Sequence, residues 1–257
     1  MMWPQIGPVS TYGVMYVTGI VLHFVISYFV SKRLGIPRRV RVPISISYAL
    51  GMTFFAKALY DVHSAQFDPA ALFRLDHYLH GGYWGGLLAY LALAVPLAWL
   101  LAPRQREVLD LVAVTVPIPW MFAKAECLFR GCCYGRPCGL PWALTFPETA
   151  AEAPPGVPLH PVQVYEMLLM VLILVVFVTL NYERWRGTML WWLVMLYGLG
   201  RAGIDVFRGD FDRYRYLGPV TLTQAICLGA ALLAAGALLF GRRRKNAEAP
   251  RVAREGS

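Results

Sequence analysis

The feature that most constrains this chain is a series of apolar blocks, each close in length to a membrane-spanning helix. Lipid offers the backbone no hydrogen-bond partners, so a crossing segment must be a helix of roughly 20 apolar residues. Seven segments come within a few residues of this length, at 11–30, 43–60, 81–101, 109–129, 161–180, 188–207 and 222–240. The second segment is the weakest, because it is short and contains Lys57. The sequence therefore predicts an all-α, polytopic membrane protein with about seven transmembrane helices.

Composition supports this class and argues against others. Of the 257 residues, 58% are hydrophobic and only 15% are charged, whereas soluble domains carry about 25% charged residues. The net charge of +9 lies in short runs between the apolar blocks rather than over one surface. Such runs do not form the continuous basic face that binds nucleic acid. We expect the lipid bilayer, and no nucleic acid, as a partner.

The placement of Lys and Arg predicts the orientation, because cytoplasmic connections carry an excess of these residues. If seven helices alternate, fifteen basic residues fall on one side and six on the other. The richer side holds the carboxyl-terminal tail, so we expect the amino terminus outside and the carboxyl terminus in the cytoplasm. The long connections 61–80 and 130–160 then face outward. We expect one transmembrane domain at 1–241 and a basic, disordered tail at 242–257.

Ionisable residues inside the predicted spans are the first candidates for a functional site, since each costs several kcal/mol in a bilayer. Seven such residues, in the spans or at their edges, lie toward the outward half of the membrane, where a shared cavity would explain them together. They are His80, Lys124, Glu126, Glu166, Arg201, Asp205 and Arg208.

The sixth span suggests what such a cavity holds. Arg201 and Arg208 are seven residues apart, which places both on one helical face about 10 Å apart. Asp205 follows Arg201 by four residues and can pair with it. In one interpretation Arg201 and Asp205 only neutralise each other, while Arg208 reaches to the interface. In the other, the two arginines hold a phosphate at membrane depth.

Two helix starts add polar and small residues. His80, Gly81 and Gly82 open the third span, where glycine allows close approach and histidine serves as a base, a donor or a helix cap. Gln163 and Glu166 open the fifth span and share one face. They form either a polar clamp between helices or part of a site.

Four of the five cysteines form the pattern C-x4-C-C-x4-C, at Cys127, Cys132, Cys133 and Cys138. They lie at or beyond the outward surface, where disulfides persist. The C-x2-C pairs that are typical of zinc sites are absent. The pattern favours a disulfide or packed thiols over a metal site, and it leaves the pairing open.

Four motifs, in this order, resemble those of the prolipoprotein diacylglyceryl transferases. They are Tyr12-Gly13 with Met15-Tyr16, His80-Gly81-Gly82 with Gly85-Gly86, His160-Pro161-Val162-Gln163-Val164-Tyr165-Glu166, and Gly200-Arg201 through Arg208-Gly209-Asp210. The fourth span is similar to a cysteine-containing branch of the family, with the sequence A-K-A-E-C-L-F-R-G-C-C-Y-G at 123–135. Lys124 stands where the family has an essential Arg, and Cys132 where it has a Glu. Cys127 and Arg130 stand where it has two Asn.

The resemblance implies transfer of diacylglyceryl from phosphatidylglycerol to the lipobox cysteine of prolipoprotein signal peptides, with glycerol phosphate leaving. It implies a bacterial cytoplasmic (inner) membrane location, no cofactor and no metal. His80 would act as base or polariser, and Arg201, Lys124 and Arg208 would hold the phosphate. The remaining residues would shape or orient the substrate cavity, namely Tyr12, Gly81, Gly82, Gly135, Gln163, Tyr165, Glu166 and Asp205.

Three alternatives remain open at this point. A divergent paralogue with the same fold would act on another acceptor, for which Lys124 and the cysteines are the motive. A lipid-binding or transport protein without chemistry would use the buried charges to line a path. A thiol-redox protein would depend on Cys132 and Cys133.

Overall fold

The computed structural model describes residues 5–6, 9–55, 83–101, 105–180, 182–210 and 220–255, and this part of the chain is mostly helical. The helices are α1 (Thr11–Arg33), α2 (Arg38–Leu50), α3 (Tyr83–Leu101), α4 (Gln105–Thr115), α5 (Pro117–Arg130), α6 (Val162–Thr179), α7 (Tyr182–Trp185), α8 (Met189–Asp205) and α9 (Leu222–Glu255). A π-helical turn, Gly51–Phe55, continues α2. Two antiparallel strand pairs join β1 (Gln5–Ile6) to β2 (Val9–Ser10) and β3 (Leu144–Thr145) to β4 (Pro158–Leu159).

Four helical stretches are long and apolar enough to cross a membrane, namely Gly13–Arg33, Arg106–Arg130, Val162–Thr179 and Leu222–Phe240. Large apolar side chains such as Phe29, Val178 and Leu232 are exposed on the first, third and fourth of these. Water would make such surfaces costly, whereas lipid would not. The fold is therefore that of a multi-pass membrane protein.

Three helix boundaries differ from the expected ones. The fourth predicted span is divided at Val116 into α4 and α5, because Pro117 lacks the N–H group that would continue the helix. α8 ends at Asp205, so the expectation that Arg201 and Arg208 share one helical face is wrong. α9 continues to Glu255, so the backbone of most of the basic tail is helical.

The main apolar core lies among α2, α3, α4, α6 and α8, where Tyr48, Tyr90, Leu111, Ile173 and Met189 are almost completely buried. Around it α1 packs against α5, α5 against α6, and α8 against both α6 and α9. The ends of α5 and α8 and the start of α6 therefore meet.

The connection between α5 and α6 is folded over this meeting point. A small second core holds Phe146, Ala153 and Leu159. Gly131 ends α5 with a left-handed φ of 74°, which glycine adopts without strain. This turn brings the following residues back over the last turn of α5.

Candidate active site

The centre of the candidate site is the Glu166 carboxylate, fully buried near the start of α6. Its Oε1 atom lies 3.0 Å from Lys124 Nζ, 3.5 Å from Arg208 Nη1 and 3.9 Å from Arg201 Nε. Its Oε2 atom has no hydrogen-bond partner among the described residues. We call Lys124, Arg201 and Arg208 around Glu166 the cation cluster. The structure brings these four residues together.

Arg201 is positioned by a second carboxylate. Its Nη1 atom donates to Asp205 Oδ1 at 2.6 Å, which confirms the predicted pair. Asp205 Oδ2 accepts a hydrogen bond from the Thr221 hydroxyl at 2.5 Å. Asp205 therefore fixes the guanidinium and ties α8 to the start of α9. The sequence did not predict Thr221 as a site residue, because it directly precedes an apolar helix and belongs to no polar or charged motif.

Arg208 reaches the cluster from the chain that follows α8. Its Nε atom donates to Asp210 Oδ1 at 2.9 Å, and its Nη2 atom donates to the other oxygen of the same carboxylate. The backbone of Arg208 bridges to Gly135, and Gly209 N donates to Tyr134 O at 3.0 Å. A Cβ atom on Gly135 would lie 2.3 Å from the carbonyl oxygen of His160. Gly135 thus allows the close backbone approach that positions Arg208.

Gln163 connects α6 to the same loop. It is fully buried, and its Nε2 atom donates to the carbonyl oxygen of Cys132 at 2.7 Å. Its Oε1 atom has no hydrogen-bond partner in the part of the chain that the structure describes. The interpretation of Gln163 as a clamp between segments is consistent with the first contact, while the second atom is available to a ligand.

The thiols of Cys127, Cys132 and Cys133, here called the thiol cluster, lie beside the cation cluster with their sulfur atoms within 4.8 Å of one another. All five cysteines are free, so of the two expected alternatives, a disulfide or packed thiols, the structure has packed thiols. Hydrogen bonds to Cys127 and Cys132 lower the pKa of the Cys133 thiol well below its usual range, and Lys124 and Arg208 act in the same direction.

Tyr165 lies at the edge of the site rather than in the cation cluster. Its hydroxyl accepts a hydrogen bond from Trp142 Nε1 at 2.9 Å and lies 3.1 Å from His160 Nδ1. Its ring contacts Phe207 edge to face. Trp142 was not predicted, and a lone tryptophan in a connection gives no signal that it would meet this residue.

Several predicted residues cannot be placed in the site. His80, Gly81 and Gly82 lie outside the described residues. Tyr12 belongs to α1, but only its backbone is described.

The geometry suits an anion. Contacts of 3.5 and 3.9 Å between Glu166 and the two arginines are long compared with the roughly 2.7–2.9 Å of charge-assisted hydrogen bonds. Both guanidinium groups can therefore turn toward a phosphate oxygen without losing their shorter contacts to Asp205 and Asp210.

Comparison with known proteins gives consistent matches. The family model described as prolipoprotein diacylglyceryl transferase matches residues 2–240. A phosphatidylglycerol–prolipoprotein diacylglyceryl transferase of Nitratidesulfovibrio vulgaris is 30% identical, covering 96% of this chain and 98% of the relative. Proteins of the same name from Geobacter sulfurreducens and Methylococcus capsulatus are 27% and 28% identical, covering 95% and 91% of this chain and 99% and 96% of the relatives.

Proposed function

Because the chain belongs to the prolipoprotein diacylglyceryl transferase family, we propose that it transfers diacylglyceryl from phosphatidylglycerol to the cysteine thiol of prolipoproteins. Relatives that match this chain over nearly their whole length are named for this activity. The chain is thus a membrane transferase of lipoprotein biosynthesis. The observation that carries its mechanism is the convergence of three buried cations on one carboxylate oxygen.

The reaction forms a carbon–sulfur bond and breaks a carbon–oxygen bond. The acceptor thiol loses its proton, the sulfur attacks the glyceryl carbon that carries the phosphate, and glycerol phosphate leaves with the electron pair. Negative charge grows on the leaving phosphate as the bond breaks. Arg201, Arg208 and Lys124 stabilise that charge from fixed positions in a buried site.

The other site residues have supporting roles. Asp205 positions Arg201, Gly135 positions Arg208, and Glu166 neutralises the cations until a phosphate takes over part of their contacts. Gln163 offers its Oε1 atom to the substrate, and Tyr165 lines the edge of the cavity. The resemblance assigns to His80 the role of base, and to Tyr12, Gly81 and Gly82 a role in substrate binding.

The proposed setting is the bacterial cytoplasmic (inner) membrane. Seven helices cross it, with the amino terminus outside and the carboxyl terminus in the cytoplasm, as the Lys and Arg distribution favours. The cation cluster then faces outward, on the side to which the signal peptides of prolipoproteins present their lipobox cysteine.

The test is a transfer assay with the purified chain in detergent, phosphatidylglycerol and a lipobox peptide, read by mass spectrometry. We expect the peptide to gain one diacylglyceryl group and a peptide with Ser in place of Cys to gain none. Arg201→Ala should abolish transfer, since it removes a cation from the phosphate. Arg186→Ala, which removes a guanidinium half-exposed at the far end of the bundle beside Glu107, is the matched control. Full activity of Arg201→Ala would disprove the phosphate role.

A second candidate function is transfer to another acceptor on the same fold. Lys124 and the thiol cluster, which stand where the family has Arg, Asn and Glu, favour it. A folded wild-type protein that consumes phosphatidylglycerol without modifying the lipobox peptide would support this reading over the first.

A further inference from the structure

The thiol cluster has the dimensions of a metal site. Its three sulfur atoms lie within 4.8 Å of one another. In a tetrahedral site, metal–sulfur bonds of about 2.3 Å separate the sulfur atoms by about 3.8 Å. Small side-chain rotations would therefore close Cys127, Cys132 and Cys133 around one ion. All three side chains are half-buried, so an ion can reach them.

The backbone already holds these thiols together. Gly131 N and Cys132 N both donate to the carbonyl oxygen of Cys127, at 3.0 and 3.1 Å. Gln163 fixes the carbonyl of Cys132 from the neighbouring helix. An ion would thus bind to a preformed arrangement and would not have to order a flexible loop.

Glu126 provides an independent observation that points to a cation. Glu126 is only 8% exposed, and its Oε1 atom has no hydrogen-bond partner among the described residues. Its Oε2 atom accepts a hydrogen bond from the Cys127 thiol at 3.7 Å. A buried carboxylate oxygen without a partner is costly. A cation held by the adjacent thiols would satisfy it.

We propose that Cys127, Cys132 and Cys133 bind one thiophilic metal ion, Zn²⁺, with a fourth coordination position that takes the acceptor thiol. Thiolate ligands select soft or borderline ions such as Zn²⁺ and Cu⁺ over Mg²⁺ or Ca²⁺. Three protein ligands with one further position is the usual arrangement of a zinc ion that takes part in chemistry.

Charge balance supports the site. Three thiolates and one Zn²⁺ carry a net charge of −1, because metal binding releases the thiol protons. Lys124 precedes Cys127 by three residues on α5, so the two side chains share one face of the helix. The cation cluster would therefore compensate the charge of the metal site.

The fourth position deepens the proposed function, on which this step rests. An acceptor thiol that coordinates zinc becomes more acidic, gives up its proton to the general base of the proposed function and becomes a thiolate. Its sulfur then forms the bond to the glyceryl carbon while the carbon–oxygen bond breaks and the phosphate leaves toward the cation cluster. The thiol cluster and the cation cluster would thus serve the nucleophile and the leaving group, respectively.

The first experiment measures metal binding without lipid or peptide. The full chain, purified in detergent with a phosphine reductant, is incubated with Zn²⁺, desalted and subjected to elemental analysis. We expect one ion per chain, lost in Cys133→Ser and kept in Cys138→Ser, a cysteine of the same loop outside the cluster. Glu126→Gln should weaken binding about tenfold, as loss of a neighbouring partner does.

A wild-type readout keeps this test independent of variant folding. Bound Zn²⁺ should protect Cys127, Cys132 and Cys133 from alkylation by iodoacetamide while Cys138 stays reactive. Substoichiometric binding by folded wild-type protein, equal binding by Cys133→Ser, or a disulfide within the cluster would each overturn the proposal.

The second experiment tests the fourth position with Co²⁺ in place of Zn²⁺. A lipobox peptide should strengthen the thiolate-to-cobalt charge-transfer absorption, and the peptide with Ser in place of Cys should not. An unchanged spectrum would overturn the acceptor role. Protein that passes both metal tests but fails to transfer diacylglyceryl would contradict the proposed function and not the metal site.

Discussion

Two fully buried carboxylates, Asp110 on α4 and Glu166 on α6, are held in opposite ways. Asp110 accepts hydrogen bonds from Gly187 N at 2.6 Å, Met189 N at 2.8 Å and the Tyr182 hydroxyl at 3.2 Å, so both oxygens are occupied by neutral donors. Burial and the charge of Asp110 raise the pKa of Tyr182, which keeps its hydroxyl a donor.

Glu166 instead meets three cations through one oxygen, and its other oxygen has no partner among the described residues. A carboxylate whose two oxygens accept hydrogen bonds from neutral donors holds two segments together, and it has no cationic partner that it could release to a substrate. A carboxylate that meets several cations through one oxygen can give up some of these contacts to another anion. The comparison distinguishes a structural anchor from a site prepared for a charged substrate.

Among the substitutions that test this difference between the two carboxylates, the largest effect on transfer comes from Lys124, which makes the shortest contact to Glu166. Lys124→Met should reduce the transfer rate about 100-fold, because one buried positive charge no longer faces the leaving phosphate. Glu166 keeps both arginines, so the variant should remain folded. Lys124→Arg, which retains the charge, is the matched control and should recover most of the rate. Equal rates for Lys124→Met and wild type would show that Lys124 does not stabilise the leaving phosphate.

The sequence predicted contacts within one helix better than contacts between helices. The four-residue spacing of Arg201 and Asp205 predicted their ion pair, because the helix itself sets that distance. No spacing indicated that Glu166 would be the common partner of Lys124 and Arg208, since that depends on how α5, α6 and the end of α8 pack. The clustering of charges at one depth predicted a shared site but not its hydrogen bonds.

Two further features could not be predicted for local reasons. Asp110 lies at the edge of a predicted span, and its backbone partners are the N–H groups of Gly187 and Met189. Because almost every residue has a backbone N–H group, the sequence does not indicate which of them would bind Asp110. The thiol cluster depends on the left-handed turn at Gly131, which folds C-x4-C-C back on itself. The C-x2-C spacing that is typical of zinc sites does not identify cysteines that come together because the chain turns back at the end of a helix.

A smaller effect should follow from Gly135, which affects the cation cluster only through the backbone. Gly135→Ala places a Cβ atom 2.3 Å from the carbonyl oxygen of His160. We expect the free energy of unfolding to fall by about 2 kcal/mol and transfer to fall about tenfold as Arg208 shifts. Gly139→Ala, in the same loop with no atom within 4 Å of the added carbon, should change neither quantity. Denaturant titration and the transfer assay measure the two effects, and equal behaviour of both variants would refute this role for Gly135.

The smallest effect on transfer belongs to Asp110, although its substitution should weaken the fold. Asp110→Asn replaces an acceptor by a donor opposite backbone N–H groups, so the free energy of unfolding should fall by about 1–3 kcal/mol. Transfer per folded molecule should stay at the wild-type rate, since Asp110 fastens α4 to the start of α8 and not to the cation cluster.

Glu183→Gln is the control for this prediction. It changes a carboxylate on the adjacent α7 that is 79% exposed, and it should leave both quantities unchanged. If Asp110→Asn lowered transfer per folded molecule as strongly as Lys124→Met, the two carboxylates would not differ in kind. Asp110 would then have to act on the cation cluster through the packing of α4 against α8.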